Sequence, residues 1–327
     1  FDLLVSDIRM APVTGLDLLQ LVHDEIPLMP VLLVTAYASV NTATEALRLG
    51  AFDYVEKPIR VSDFRVIVRR ALDCASFLRI NEYLRDDTAF ACRFGHLVAE
   101  SDNMRLVCEQ IEGVLQTDEP VLICGERGVG KEMVARTLHD RGRRRDRKFL
   151  SVNCAEIPEP LLDLTLFGTA DGSPPSEPRP GQGLLFAPDS RTVFLDEVGL
   201  MPLGTQQKLM ASLKESRKAA AHRGDKAAPA NVQVVAASGL NLENLVKDGV
   251  FLKDLLYGLG IVTLRIAPLK SRTEDILPLL AHALRRAYKN WNEIPRVAPE
   301  VPAILAQYNW PNNVQELEDV ATQAAAN

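Results

Sequence analysis

The segment Gly125-Glu-Arg-Gly-Val-Gly130-Lys131-Glu132 has the composition of a loop that binds phosphate groups. It lies between the apolar run Pro120 to Cys124 and the helical pattern Lys131 to His139, which is the strand-to-helix setting that such a loop needs. Glycines let backbone amides turn towards phosphate oxygens at the start of a helix, and a lysine adds a point charge. We therefore predict that a nucleotide binds to Gly125, Glu126, Arg127, Gly128, Val129, Gly130, Lys131 and Glu132.

A pair of carboxylates follows later in the chain, in the segment Val193-Phe-Leu-Asp196-Glu197. The segment has the pattern of a buried strand that ends in two acidic residues. Beside a phosphate chain, one carboxylate can hold Mg²⁺ through water and the other can polarise an attacking water molecule. Asp196 is the candidate Mg²⁺ residue and Glu197 the candidate catalytic residue, and the two motifs together predict that ATP and Mg²⁺ are the cofactors.

Three polar residues near the start of the chain each follow a short apolar run. They are Asp7 after Leu3 to Val5, Thr35 after Val31 to Val34, and Lys57 after Tyr54 to Val55. The carboxyl ends of neighbouring parallel strands meet at one edge of a sheet, where ligand sites lie. There an aspartate can become an acyl phosphate, a lysine can pair with the added charge and a hydroxyl can bond the new oxygens. The series predicts a site that accepts a phosphoryl group.

The elements that must position these residues are strands and helices in alternation. In the first part of the chain, helical patterns occur at Leu16 to Val22 and Thr42 to Leu49. From about Gly95 the alternation restarts, with further strands at Thr192 to Leu195 and Val232 to Ala237. Such alternation predicts two parallel, doubly wound sheets. After Leu269 the pattern is wholly helical, which is typical of a small lid.

A longer helical pattern joins the two parts and ends at the polar stretch Arg85 to Thr88. Its apolar positions are Phe64, Val68, Ala71, Ala75 and Leu78. The pattern fits either a helix packed on its own domain or a coiled coil between two chains. Two stretches without apolar periodicity, Asp171 to Gly183 and Arg217 to Ala230, are predicted to be exposed loops.

Composition and charge limit the class of protein. A chain of 327 residues has room for two domains, and 47% hydrophobic with 24% charged residues is typical of a soluble globular protein. The net charge of −6 gives no electrostatic reason for nucleic-acid binding, and the basic run Arg141 to Lys148 is predicted to be a solvated loop. Five widely spaced cysteines favour a reducing, cytoplasmic location. No apolar run is long enough to predict a membrane span.

The first part of the chain resembles the receiver domains of response regulators. The segments that carry the resemblance are Asp7-Ile-Arg-Met, Gly15-Leu-Asp-Leu-Leu, Thr35-Ala and Phe52-Asp-Tyr-Val-Glu-Lys57-Pro58. It implies that Asp7 is the phosphoacceptor and a Mg²⁺ ligand, Thr35 and Tyr54 the switch pair, and Lys57 the phosphate-contacting lysine. It also implies a sensor histidine kinase as partner. The acidic pair of the family's first strand would precede Phe1, so we expect an N-terminally truncated receiver whose phosphorylation needs those preceding residues.

The second part resembles the AAA+ domain of NtrC-type activators of sigma-54 RNA polymerase. The segments that carry this resemblance are Gly125 to His139, Val152 to Ala155, Leu166 to Gly168, Phe194 to Gly199 with Met201-Pro202, Phe251 to Leu259, and Trp310 to Glu318. The resemblance implies that Lys131 is the Walker A lysine, that Asp196 and Glu197 are the Walker B pair, and that Asn153 restrains the catalytic glutamate. It also implies self-association as a dimer or AAA+ ring, RNA polymerase as a further partner, and DNA contacts only through a C-terminal domain beyond Asn327.

The fold class that we expect is therefore α/β. A truncated flavodoxin-like receiver at 1–72 and a helical linker at 73–94 precede an AAA+ P-loop α/β subdomain at 95–268 and a small helical lid at 269–327.

This chain departs from the family at positions that serve turnover. The family loop G-A-F-T-G-A is replaced by Gly172-Ser-Pro-Pro-Ser-Glu, two family arginines by Leu252 and Gly258, and the lid arginine by Gln315. The first sensor segment, A-T-N-R in the family, is Ala237-Ser-Gly-Leu240. An arginine finger contributes about 10³ to 10⁵ in rate, so we expect a nucleotide-binding pseudo-ATPase that cannot remodel sigma-54 polymerase. The alternatives are an active sigma-54 ATPase that uses Lys253, Arg265 or Arg272, and an inert scaffold.

Overall fold

The computed structural model describes residues 1–36, 46–85, 97–168, 183–186, 191–221, 232–288, 297–298 and 300–326. The chain divides into two compact units, and each is described by itself. The first unit comprises Phe1–Phe90, Ile276–Tyr308 and Ala321–Asn327, and the second comprises Ala91–Asp275 and Asn309–Val320. Within the described ranges, no helix has the length and apolar character needed to cross a lipid bilayer.

The first unit contains a parallel sheet of three strands in the order β1 (Leu4–Asp7), β2 (Val31–Thr35) and β3 (Asp53–Glu56). All three strands were predicted from the apolar runs. All five residues of β2 are buried, as expected for the middle strand of a parallel sheet. Of the helix predicted at Thr42 to Leu49, residues 46–48 are helical and residues 42–45 lie outside the described part of the chain.

Helix α1 (Gly15–Glu25) follows β1 and starts at a capping box. The Thr14 hydroxyl accepts a hydrogen bond from the Asp17 amide at 3.2 Å, and the Asp17 carboxylate accepts one from the Thr14 amide at 3.0 Å. Such a cap contributes about 1 kcal/mol. Gly15 is required here because a Cβ would collide with the carbonyl oxygen of Asp7. The start of α1 is thereby held directly against the end of β1.

Helix α2 (Val61–Arg85) is continuous through the boundary that we placed between residues 72 and 73. Ala71 and Ala75 are buried. Two helices of the lid segment, α9 (Ile276–Ala287) and α10 (Val301–Gln307), contact α2 within this unit. These two helices therefore belong to the first compact unit, although the sequence pattern grouped them with the rest of the lid at 269–327.

The second unit contains a parallel sheet of five strands in the order β5-β6-β7-β4-β8. The strands are β4 (Val121–Cys124), β5 (Phe149–Asn153), β6 (Thr192–Asp196), β7 (Gln233–Ser238) and β8 (Val262–Arg265). We predicted β4, β6 and β7, but neither β5 nor β8. The prediction of two parallel, helix-covered sheets is confirmed for both units.

Helices cover both faces of this second sheet. They are α3 (Asp102–Val114), α4 (Lys131–Arg141), α5 (Glu159–Phe167), α6 (Leu203–Ala221), α7 (Leu242–Lys247) and α8 (Lys253–Leu259). A further helix, α11 (Asn313–Ala326), begins within this unit. Successive strand residues point to opposite faces. Leu195 packs in one core with α5, α6 and α8, and Phe194 packs in another core with α3 and α4.

Two loop predictions need correction. Helix α6 extends to Ala221, so the first residues of the stretch predicted as a loop from Arg217 are helical. Alanine and lysine have high helix propensity, so the helix continues here although the apolar periodicity has ended. In the basic run, Arg144 is 6% exposed and its Nη1 lies 2.5 Å from Asp118 Oδ1, so this residue is not solvated. Of the stretch Asp171 to Gly183, only Gly183 is described, and it is buried.

Candidate functional site

The phosphate loop connects the carboxyl end of β4 to the first turn of α4. Gly128 and Gly130 have φ values of 76° and 100°, which glycine adopts without the strain that a side chain would bring. Gly130 is the N-cap of α4 and has no side chain to cap the helix. The free amides at this helix start therefore remain available to an anion. The strand–loop–helix setting predicted for this motif is confirmed.

Lys131 points back into the loop and is 6% exposed. Its Nζ donates hydrogen bonds of 3.2 Å to the carbonyl oxygens of Gly125 and Glu126. The same nitrogen lies 3.2 Å from Glu197 Oε1. The structure thus brings the two predicted motifs together, with the lysine between the glycine-rich loop and the acidic pair.

Asp196 and Glu197 end β6 beside this lysine. Asp196 Oδ1 accepts a hydrogen bond of 2.9 Å from the Glu197 amide, and burial raises the pKa of the Asp196 carboxyl above its usual range. Glu197 has φ 50°, a conformation that side-chain-bearing residues adopt rarely and mostly where the surroundings enforce it. Its Oε2 accepts a hydrogen bond of 3.1 Å from the Gly239 amide. Gly239 therefore contacts the acidic pair through its backbone.

Asn153 ends β5 in register with Asp196. Its side-chain amide donates to Glu156 Oε1 at 2.8 Å, and its Oδ1 accepts from the Ala155 amide at 3.0 Å. These contacts keep the side chain within its own turn. The restraint of Glu197 by Asn153 stays a prediction, and Glu156 is a partner that the sequence did not indicate.

The donor set at this site fits a metal ion that arrives with a nucleotide. Among the described residues, no group of three or more His, Cys, Asp or Glu side chains could hold a metal by itself. Mg²⁺ at nucleotide sites takes one or two carboxylates and completes its shell with phosphate oxygens and water. Asp196, partly buried beside the loop, can supply one carboxylate. Glu132 is directed elsewhere, because its Oε1 accepts from Arg136 Nη2 at 2.7 Å.

The positions at which we expect the family to have arginine lie on α11 and on or directly before α8. Gly258 is on α8, and Leu252 precedes its first residue. The exposed Lys253 places its Nζ 5.9 Å above the ring of Tyr257, which is itself 68% exposed. On α11, Gln315 Nε2 donates to Asp319 Oδ1 at 3.2 Å and thus points along its own helix.

The two arginines that we considered as substitutes differ in exposure. The Arg265 side chain is 73% exposed and its Nη2 lies 3.9 Å from Glu243 Oε1. Arg272 is 2% exposed, and its Nη2 donates to the carbonyl oxygen of Val129 at 2.8 Å. Arg272 therefore cannot serve a neighbouring subunit, and no sequence pattern indicated its contact with the phosphate loop.

The first unit brings Asp7 and Lys57 together at the carboxyl edge of its sheet. Lys57 Nζ lies 2.5 Å from Asp7 Oδ2. This hydrogen bond, with a second from the Arg9 amide, lowers the pKa of the Asp7 carboxyl. Thr35 is buried at the end of β2, and its carbonyl accepts from the Lys57 amide at 2.8 Å. Tyr54 lies half-buried on β3 and packs against the core of this unit.

Three family models match the chain. The sigma-54 interaction domain matches residues 97–265, the response regulator receiver domain matches residues 1–69, and the AAA+ ATPase lid domain matches residues 270–327. A receiver fold followed by a P-loop ATPase fold defines a class of signalling protein. In that class the first domain is a phosphoryl-accepting domain and the second a nucleotide-binding domain. The chain belongs to the NtrC-type response regulators with a sigma-54 interaction domain.

Curated relatives and solved structures align with nearly the whole chain. The regulatory protein AtoC of Escherichia coli is 36% identical over 324 residues, which cover 99% of this chain and 70% of AtoC. The response regulator PilR of Pseudomonas aeruginosa is 36% identical over 326 residues, with 99% and 71% covered. The structure of NtrX from Brucella abortus in complex with ADP has a TM-score of 0.60 at 29% identity, covering 99% of this chain and 71% of NtrX. The NtrX complex with ATP has the same TM-score at 28% identity and covers 99% and 72%.

Proposed function

We propose that this chain is a phosphorylation-controlled transcription regulator that binds ATP with Mg²⁺ at the phosphate loop but hydrolyses it weakly or not at all. The observation that carries this proposal is the arrangement around Lys131. The groups that bind the ground state of a nucleotide are kept, and the positions that would act on its transition state lack their charged or amide side chains.

Nucleotide binding is supported by the loop geometry. Gly128 and Gly130 leave their amides free, and Lys131 is buried beside them with its charge compensated by Glu197. A triphosphate offers Lys131 stronger acceptors than the two carbonyls that it now contacts, because hydrogen bonds between ionised groups are roughly twice as strong as neutral ones. Asp196 would hold the Mg²⁺ that accompanies the phosphates. The solved NtrX complexes with ADP and ATP support nucleotide binding in this architecture.

Weak turnover follows from the side chains that are absent. Leu252 and Gly258 carry no guanidinium group towards a neighbouring site, and Gln315 is bound to Asp319. Gly239 presents only its backbone amide to Glu197. Only interactions that strengthen in the transition state raise the rate, so these losses affect hydrolysis more than binding.

The receiver domain would supply the control. Asp7 is the proposed phosphoacceptor and Mg²⁺ ligand, Lys57 the phosphate-contacting residue, and Thr35 and Tyr54 the switch pair. A sensor histidine kinase would donate the phosphoryl group. Phosphoryl transfer would turn the Asp7 carboxylate into an acyl phosphate, and Lys57 would then pair with the phosphoryl oxygens in place of that carboxylate.

A second candidate is an active sigma-54 ATPase that works as a ring on RNA polymerase. The exposed Lys253, directly after Leu252, and the exposed Arg265 favour it, because either cation is accessible to a neighbouring subunit. Lysine replaces the planar fork of arginine poorly, so this candidate implies slow turnover.

The test is steady-state ATP hydrolysis over a range of protein concentrations, together with titration of a fluorescent ATP analogue. Lys131→Ala is the blank for both measurements. Binding that disappears in the variant, without turnover above the blank, supports the pseudo-ATPase. Turnover that rises cooperatively with protein concentration would establish shared active sites and favour the second candidate.

A further inference from the structure

Three consecutive carbonyl groups of the phosphate loop accept hydrogen bonds from residues of the lid segment, residues 269–327. The carbonyl of Arg127 accepts from Asn313 Nδ2 at 2.9 Å, and that of Val129 accepts from Arg272 Nη2 at 2.8 Å. Between them, the carbonyl of Gly128 accepts from the backbone amide of Gln315 at 3.2 Å. All these residues belong to the second compact unit.

These bonds fix the direction of the loop amides. In a planar trans peptide the N–H of one residue points opposite to the C=O of the residue before it. Holding the carbonyls of residues 127–129 towards the lid segment therefore turns the amides of residues 128–130 the other way. Successive amides that point into one concave space form an anion-binding nest. The lid segment thus maintains the form of the loop that binds phosphate.

Asn313 is built into this arrangement. It is fully buried, has φ 53°, and receives a hydrogen bond of 2.7 Å from the Leu269 amide on its Oδ1. Its Nδ2 also lies 3.2 Å from Glu126 Oε2. Gly128 passes so close to Asn312 that a Cβ on residue 128 would collide with the Asn312 carbonyl oxygen. The close approach of the loop to the lid segment therefore requires glycine at residue 128.

Arg272 is held by a buried acidic residue. Its Nη1 lies 3.6 Å from Asp275 Oδ2, and Asp275 is itself fixed by the amides of Glu100 and Ser101 at 2.8 Å. Burial lowers the pKa of the Arg272 guanidinium. Its Nε has no hydrogen-bond partner in the described part of the chain. A buried ion pair is a costly way to stabilise a fold, since well-packed apolar residues serve as well or better. Its place against Val129 points to a role in the loop.

We infer that Arg272 and Asn313 are positioning residues, which hold the phosphate loop in its anion-binding form through the carbonyls of Val129 and Arg127. The inference rests on the proposed nucleotide binding for its purpose, but the state of the loop can be measured without nucleotide. Neither side chain acts as a phosphate ligand in this assignment. Changes that move the lid segment would alter nucleotide affinity from behind the loop.

The test is amide hydrogen exchange of the nucleotide-free full chain, compared between wild type and the variants Arg272→Met and Asn313→Gly. Glycine at 313 keeps the positive φ while removing the amide. Gln315→Ala is the matched control, because its bond to Gly128 comes from the backbone. Arg272→Lys keeps a positive charge beside Asp275, so it can be measured if Arg272→Met folds poorly. Its amide exchange should lie closer to that of wild type.

We expect the Gln315 amide, which donates to the Gly128 carbonyl, to exchange about three- to tenfold faster in the two variants, with exchange of β6 and β7 unchanged, in line with a contact weakened by about one hydrogen bond. Affinity for the fluorescent ATP analogue should fall by a similar factor. Unchanged exchange of the Gln315 amide in both variants overturns the inference. A third outcome separates the two proposals. If exchange is faster in the variants but even the wild-type chain binds no analogue, the positioning role of Arg272 and Asn313 stands and the proposed nucleotide binding is refuted.

Discussion

The carboxylate of Glu197 lies 3.2 Å from the ammonium group of Lys131, and the opposite oxygen of the same carboxylate accepts from the Gly239 amide. The residue assigned to polarise water is thus also a partner of the residue assigned to bind phosphate. Both roles cannot be filled at once by the same oxygen. Binding of a triphosphate would have to loosen this ion pair.

Replacement of Glu197 by glutamine should therefore tighten nucleotide binding. The change removes a negative charge next to the phosphate position and releases Lys131 from its ion pair. We expect about three- to tenfold higher affinity for the fluorescent ATP analogue, which corresponds to a modest change in partly buried charge. Glu156→Gln is the control, because it removes a charge that contacts Asn153 and not Lys131. Weaker binding by Glu197→Gln would contradict the competition between Glu197 and phosphate.

Restoring arginine at 252 and 258 should raise turnover. The double variant Leu252→Arg with Gly258→Arg returns two guanidinium groups to the region of α8. If the sites are shared between subunits, we expect at least about a tenfold increase in ATP hydrolysis, a small part of what an arginine finger can contribute. The rate should depend on protein concentration.

The control for this experiment is Val250→Arg, which adds the same charge at a position that is 49% exposed and close in sequence. An equal rise in both proteins would mean that added positive charge, and not its place, changes the rate. No rise in either would place the defect elsewhere, for example at Gly239. A Cβ at residue 239 would lie 3.2 Å from Glu197 Oε1, so asparagine there requires a small shift of the carboxylate.

Removal of the Lys57 side-chain charge should raise the pKa of Asp7. The Lys57 hydrogen bond is the largest cause of the lowered value, and the Arg9 amide is the next. In Lys57→Met the carboxyl should titrate closer to its ordinary range, as followed by NMR of the Asp7 side chain. Arg9→Ala keeps the backbone donor and should leave the titration nearly unchanged. An unaltered Asp7 titration in Lys57→Met would show that the two residues do not pair in solution.

Asp196→Asn should stabilise the fold at neutral pH. Burial raises the folded-state pKa of Asp196, so the native state prefers the protonated form. Stability from this group is complete below the unfolded value of 3.8 and declines as the pH rises towards the folded pKa. The neutral amide escapes this decline. Thermal unfolding between pH 4 and 8 should show a midpoint about 2 °C higher in the variant at the upper end, and little difference at the lower end.

The sequence predicted those parts of both sites that follow directly from strand ends. Asp7 with Lys57, and Lys131 with the acidic pair, were recovered because the carboxyl ends of parallel strands converge. Strands β5 and β8 were missed because polar residues interrupt their short apolar runs, although Val262-Thr-Leu-Arg265 alternates as a half-buried strand does. Helix α6 was ended too early because its last residues lack apolar periodicity. Arg272 and Asn313 could not be recognised from sequence, since their contacts with Val129 and Arg127 depend on how distant segments pack.

The strand order of the larger sheet also governs when the phosphate loop can take shape on the ribosome. Among the described strands, β4, which carries the loop, pairs with β7 and β8, so Val121 meets Val235 and Val262. Both partners are synthesised long after the loop has left the exit tunnel, and the residues that hold its carbonyls come later still. A nascent chain that ends before Asn313 therefore presents the glycine-rich segment without its supports, and we expect it to bind ATP more weakly than a chain that includes Asn313.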